Sequence, residues 1–96
     1  MAVVAPPRSQ LTDLFVILVV LIARGTGVSV AVTSWFRSQA ENARVGGSPT
    51  SLHLAGLALD LVGTPQALQT VASVWRAIGF QAIFESDHLH IELDRA

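Results

Sequence analysis

The residues best suited to chemistry lie in two short motifs, which together contain all three histidines of the chain. The first motif, Ser51–Asp60 (SLHLAGLALD), contains His53 and Asp60, and the second, Glu85–His90 (ESDHLH), adds a glutamate and two histidines. Imidazole and carboxylate groups are the usual ligands of a zinc ion that has three protein ligands and an open fourth position. The two motifs therefore contain enough ligands for a catalytic zinc site.

Composition limits the other functional classes. The chain has 96 residues, of which 51% are hydrophobic and 14% are charged, and this predicts one compact domain. We expect a flexible lead-in over residues 1–8 and a single domain over residues 9–96. The net charge is -1 and the six basic residues are dispersed arginines, so nucleic acid is not expected as a partner. There is no cysteine, so any metal must be held by nitrogen and oxygen atoms.

One segment, Leu14–Ala23 (LFVILVVLIA), is apolar without interruption. Its ten residues are too few for a membrane-spanning helix, which needs about 20. A secretory signal would have a basic flank, whereas Asp13 directly precedes this run. We interpret the segment as a buried helix from Ser9 to about Arg24, ended by Gly25. A signal anchor and a strand are the alternatives, and no stable membrane insertion is expected.

The remaining pattern predicts an α+β fold with a mainly antiparallel sheet and helices packed on it. Alternation from Val28 to Val32 indicates a strand, and a capping box at Ser38–Glu41 indicates a short helix that stops at Gly46. The next predicted elements are a buried strand at Leu57–Val62, a helix from Thr64-Pro65 to Gly79 with Leu68, Val71, Trp75 and Ile78 on one face, and a hairpin of Phe80–Glu85 and His88–Leu93.

The hairpin brings candidate site residues together. Alternate side chains of a strand share a face, so His88, His90 and Glu92 should point away from the core. A two-residue turn would place Glu85 opposite His88 and Ile83 opposite His90. Each of these residues alone could be an ordinary surface residue. Their joint spacing, together with a carboxylate in the apolar stretch LALDLV that is costly to bury unpaired, favours a metal site.

The two motifs resemble those of the zinc D-alanyl-D-alanine carboxypeptidase family of peptidoglycan peptidases, whose site is shared by the hedgehog signalling domain. The segment Thr33–Ser38 (TSWFRS) is similar to the family's Ser-Gly-Tyr-Arg-Ser, and Asn42 and Val45–Gly47 resemble the family's next stretch of chain. Trp35 and Phe36 replace the family's glycine and tyrosine, which suggests a bulkier substrate rim.

The resemblance implies a role for each matching residue and a hedgehog/DD-peptidase-like fold. His53, Asp60 and His90 would bind Zn2+, Glu85 would be the general base on the metal-bound water, and His88 would stabilise the oxyanion. Arg37 and Ser51 would contact substrate, with Arg37 meeting a carboxylate. Glu92, on the face of the last ligand, would orient His90.

Two functions are compatible with these residues. The first is a zinc metallopeptidase that hydrolyses peptide bonds of peptidoglycan stem peptides, as a carboxypeptidase or as an endopeptidase of the endolysin type. The second is a non-catalytic zinc module that forms a recognition surface. A retained Glu85 favours catalysis, because a structural metal site needs no base. A peptidase of this kind would act on the cell wall from the periplasm, from outside the cell or after delivery by a phage. The sequence leaves the export route, the bacterial or phage origin and the oligomeric state open.

Overall fold

A computed structural model describes residues 3–95 and has the expected α+β architecture. One sheet of four antiparallel strands, in the order β1-β2-β4-β3, is accompanied by three α-helices and one short 3-10 helix. The elements are α1 (Gln10–Thr26), β1 (Val30–Ser34), α2 (Gln39–Arg44), the 3-10 helix (Leu52–Ala55), β2 (Ala58–Gly63), α3 (Pro65–Ala77), β3 (Phe80–Phe84) and β4 (Leu89–Arg95).

Helix α1 begins where the sequence predicts and ends later. Ser9 is its N-cap, with its hydroxyl accepting a hydrogen bond from the Thr12 amide at 3.1 Å, while Thr12 Oγ1 accepts one from the Ser9 amide at 2.9 Å. The predicted end at Gly25 is wrong. The helix continues to Thr26 because Gly27, at φ 71°, is the glycine in the left-handed conformation that ends a helix.

The expectation that α1 is a buried helix is correct for only one of its faces. Phe15 and Ile22 are in the core, and the Phe15 ring meets the Trp75 ring edge-on at 5.7 Å between centroids. Leu14, Ile17 and Leu21 instead remain 54–61% exposed, because α1 contacts α3 along one side only. No helix within residues 3–95 is long and apolar enough to cross a membrane.

The core lies between α3 and one face of the sheet. Leu59 and Leu61 of β2 and Leu89 and Ile91 of β4 are almost fully buried there and pack with Trp75. Since strand side chains alternate, the residues between these leucines and isoleucines point to the opposite face. The register pairs Asp60 with His90 on that face, so the core pattern itself determines where the candidate site residues lie.

The hairpin has the predicted register. Ile83 pairs with His90, and the Glu85 amide donates to the His88 carbonyl at 2.9 Å across the turn. Thr64 caps α3 with Pro65 in its first turn, as predicted. The prediction that Ile78 lies on the buried face of α3 is wrong. Ile78 is 44% exposed, because α3 ends at Ala77 before the turn at Gly79.

Helix α2 has only part of the predicted capping box. The Ser38 hydroxyl accepts from the Glu41 amide at 3.1 Å, whereas the Glu41 carboxylate binds the Arg44 guanidinium. The helix ends at Arg44, before the predicted stop at Gly46. Upstream, Val4 accepts a backbone hydrogen bond from Phe36 at 3.0 Å. The division into a lead-in and a domain stays a prediction, and its residues 1, 2 and 96 lie outside the described residues.

Candidate metal centre

Three separate segments place His53, Asp60 and His90 around one point. One ligand atom from each residue lies within 4.8 Å of the others. Strand pairing sets Asp60 directly beside His90, and the 3-10 helix delivers His53 from the preceding loop. Gly56, at φ 72°, ends that helix and donates its amide to the His53 carbonyl at 3.2 Å. This tight turn lets His53 and Asp60, only seven residues apart, face each other.

One oxygen of Asp60 is at the centre of the group. Asp60 Oδ1 lies 3.1 Å from His53 Nε2 and 3.1 Å from His90 Nδ1, and His88 Nε2 is slightly farther away at 3.5 Å. His53 and Asp60 are buried, with 1% and 6% of their surface exposed. A buried carboxylate requires positive charge close to it. The Arg37 guanidinium supplies it at Oδ2, and protons on the rings or a metal ion can supply it at Oδ1.

The second nitrogen of each ligand ring already has a partner. His53 Nδ1 lies 2.5 Å from the Trp35 carbonyl, and His90 Nε2 lies 2.8 Å from Glu92 Oε1. Each acceptor takes an N–H from the ring, which leaves the other nitrogen of that ring facing Asp60. Metal-binding histidines are commonly oriented in this way by a carbonyl or a carboxylate. The two nitrogens and the carboxylate oxygen therefore fit a divalent metal ion.

The electrostatics of the centre follow from its burial and its hydrogen bonds. Burial acts to raise the pKa of Asp60, but the hydrogen bonds that the His53 and His90 rings donate to it in the absence of a metal ion outweigh burial and hold that pKa well below its usual range. The Asp60 carboxylate raises the pKa of His90 against the opposing effect of burial, and Glu92 adds to the rise. Asp60 is thus ionised at neutral pH, as a metal ligand must be.

Arg37 lies on the far side of Asp60. Its Nη2 is 3.0 Å from Asp60 Oδ2, and its Nη1 is 3.4 Å from Asn42 Oδ1. Asn42 is buried and donates to the Ser48 carbonyl at 2.8 Å, which ties α2 to the loop before His53. The resemblance suggests a substrate carboxylate as the partner of Arg37. In the structure its partner within the protein is the carboxylate of a candidate metal ligand.

A polar, open cleft of about 650 Å³ leads to the metal centre. Besides the three ligand residues, its walls include Arg37, Ser51, Glu85, His88 and Glu92. Glu85 is exposed at the hairpin turn, and His88 Nδ1 lies 2.6 Å from Asp87 Oδ1. The Ser51 hydroxyl accepts a hydrogen bond from the His53 amide at 3.2 Å, so it caps the 3-10 helix at the edge of the cleft.

The substrate rim expected at Trp35 and Phe36 stays a prediction. Neither is among the described residues that line the cleft; both line a neighbouring cavity instead. Trp35 Nε1 donates to the Gly56 carbonyl at 2.7 Å, and its side chain packs against the core. The Trp35 carbonyl, which orients His53, is a contribution that sequence reasoning missed, because no side-chain pattern marks a backbone acceptor. The sequence marks Asn42 only as part of the resemblance, without its role as a partner of Arg37.

The chain matches a known protein family. A family model described as Peptidase M15 matches residues 7–92, which covers every element from α1 to β3 and the candidate ligands on the 3-10 helix, β2 and β4. No curated protein matches the chain.

Proposed function

We propose that this chain, which belongs to the peptidase M15 family of metallopeptidases, acts as a zinc peptidase on peptidoglycan stem peptides. The observation that carries the proposal is the meeting of His53, Asp60 and His90, with their ligand atoms within 4.8 Å, beside a cleft that Glu85 also lines.

Zinc is the metal favoured by these ligands. Two imidazole nitrogens and one carboxylate oxygen form the ligand set of many hydrolytic zinc sites, which leave a position open for water or substrate. When bound, the ion would polarise a peptide carbonyl and lower the pKa of water to about 7. The Trp35 carbonyl and the Glu92 carboxylate would keep both imidazoles in the orientation that ligation requires.

Glu85 is the candidate general base. It lies in the hairpin turn at the cleft, where a carboxylate can take a proton from the attacking water and return it to the leaving amine. His88 lies between this turn and Asp60, with Nε2 3.5 Å from Asp60 Oδ1. Because Nδ1 donates to Asp87, His88 would donate from Nε2 to the oxyanion of the attacked carbonyl as an imidazolium, with both ring nitrogens protonated.

Peptide binding is assigned to the rest of the cleft. Arg37 offers a guanidinium beside the ligand Asp60, where it could also meet a substrate carboxylate close to the scissile bond. The loop over residues 47–51, which ends at Ser51, supplies a polar wall suited to the backbone of an extended peptide. A substrate of this type would place the action of the protein at the cell wall.

The first test is metal analysis of the purified protein together with mass spectrometry of digested peptidoglycan. We expect about one zinc per chain, and its loss in His53→Ala, Asp60→Ala and His90→Ala. We also expect His88→Ala to retain zinc and to turn over more slowly. Retention of stoichiometric zinc by all three ligand variants under chelator competition would refute the ligand assignment.

The digestion products separate the possible activities. Release of a terminal D-amino acid would identify a carboxypeptidase, and cleavage within or between stem peptides would identify an endopeptidase. Zinc binding without cleavage of any stem peptide would instead support the non-catalytic recognition module. The Glu85→Gln variant serves as the matched negative control, because it should keep the metal.

A further inference from the structure

We propose that the exposed face of α1 is a dimerisation surface that binds a second copy of this chain in antiparallel orientation. The surface, called the α1 stripe below, consists of Leu14, Ile17, Val20 and Leu21. These four residues are 60%, 54%, 43% and 61% exposed, although each is large and apolar. The stripe lies on the side of α1 opposite Phe15 and Ile22, which belong to the core.

The spacing of the stripe is that of a helix that pairs with another helix. Three of its residues, Leu14, Ile17 and Leu21, are followed by Arg24 at intervals of three, four and three residues. This is the repeat of the contact line in paired helices. The stripe exposes on the order of 400 Å² of apolar surface per copy, and a patch of this size on a monomer often marks an interaction site. Two copies would bury roughly 800 Å² of it, so flanking residues must contribute to a modest interface.

The positions of the charges on this face favour a second copy of the chain as the partner. Asp13 and Arg24 are 11 residues apart, so they lie on almost the same line of the helix, about 16 Å from each other. An antiparallel pair related by a twofold axis between residues 18 and 19 places Asp13 of each copy opposite Arg24 of the other. The pattern is thus complementary to itself, as a symmetric dimer interface must be.

The same pairing fits the apolar side chains. With that axis, Leu21 of one copy is level with residue 16 of the other and lies between its Leu14 and Ile17. Arg24 has no carboxylate partner among residues 3–95, and the partner of Asp13 is Arg8, whose side chain is 86% exposed. Such an exposed ion pair contributes little and is readily exchanged.

A lipid surface fits the α1 stripe less well. Asp13 and Arg24 lie near the centre line of the exposed face, so insertion of this face into a membrane would bury both charges without a partner. In the antiparallel dimer the same two charges meet each other. The arrangement therefore favours association with protein, and its self-complementarity favours association with another copy.

Sedimentation velocity of the zinc-loaded full chain over a concentration series tests the proposal. We expect the mass to rise from 10.2 kDa toward twice that value as concentration increases. Leu21→Glu should remain a monomer throughout. The matched control, Ile78→Glu, changes an exposed apolar residue at the end of α3 and should dimerise like the wild type. Zinc content and circular dichroism establish that each variant is folded.

A charge exchange tests the orientation. Asp13→Arg and Arg24→Asp should each raise the dissociation constant about fivefold or more, and the double variant should return it to near the wild-type value. Arg8→Ala controls for loss of the ion pair within one chain and should leave dimerisation unchanged. A wild type that stays monomeric at every concentration, or that binds phosphatidylglycerol vesicles only as a monomer, would overturn the proposal.

Discussion

Replacement of Glu92 by alanine should weaken zinc binding although Glu92 is not a candidate ligand. Its Oε1 accepts a hydrogen bond from His90 Nε2 at 2.8 Å, and both side chains are largely buried, with 17% and 16% exposed. The hydrogen bond holds His90 with Nδ1 directed at Asp60. Without it, the imidazole can rotate and loses a charged acceptor that makes it a better ligand.

The expected loss follows from the strength of that contact. A hydrogen bond to a charged group contributes about 1.5–3 kcal/mol, and the partial exposure of Glu92 places the expected loss near the lower limit. At about 1.4 kcal/mol per tenfold change in affinity, zinc binding should weaken roughly 10–30-fold. This range lies within the 10–100-fold typical for partners that orient metal ligands. Competition with a chromophoric chelator measures the change directly.

Asp94 provides the matched control for this experiment. It lies two residues farther along β4, also lines the cleft, and carries the same charge, but its nearest described hydrogen bond is local, from the Arg95 amide at 2.8 Å. Asp94→Ala should therefore leave zinc affinity nearly unchanged. Equal losses in both variants would show that only the overall charge of the cleft matters. An unchanged affinity in Glu92→Ala would refute the orienting role.

Three further predictions concern catalysis, substrate and stability. Glu85→Gln should keep zinc and lose about 10²–10⁴-fold in kcat on stem peptides, whereas Asp94→Asn, in the wall of the same cleft, should stay within a few-fold of wild type; equal activities would remove Glu85 from the mechanism. Arg37→Lys should raise KM for peptides with a carboxylate near the scissile bond, because lysine lacks the bidentate fork, and identical kinetics with and without that carboxylate would contradict this role. Gly27→Ala should lower the free energy of unfolding by about 1–2 kcal/mol because of the φ of 71° alone. Each kcal/mol lost lowers Tm by roughly 4–8 °C. Gly56→Ala should cost more, because an added Cβ would also lie 2.5 Å from the Pro6 ring; equal Tm values for the two variants would show that this contact relaxes freely.

The sequence predicts those parts of the fold that have local signals. Ser9 and Thr64 mark helix starts because their hydroxyls cap free amides, and alternation along β4 sets its two faces. The length of the hairpin turn then determines which β3 residue pairs with His90. Since each of these signals acts over a few residues, the α+β class and the hairpin register could be predicted without knowledge of long-range contacts, and the structure confirms both.

The parts that were missed depend on contacts between distant segments. A uniformly apolar stretch such as Leu14–Ala23 does not indicate which face is covered, because either face could be buried equally well. The contact of Trp35 with His53 uses a backbone carbonyl, which every residue has, so no residue type reveals it. The pairing of Arg37 with Asp60 spans 23 residues and depends on the β1–β2 register.

The candidate metal centre is the middle of a continuous chain of polar contacts. The chain runs from the Trp35 carbonyl through His53, Asp60 and His90 to Glu92, and each link is 3.1 Å or shorter. A slip of one residue between β2 and β4 would turn Asp60 into the core and separate it from both imidazoles. The site therefore exists only in the native register. A bound metal ion would select that register, so the ligands of the centre also contribute to the specificity of the fold.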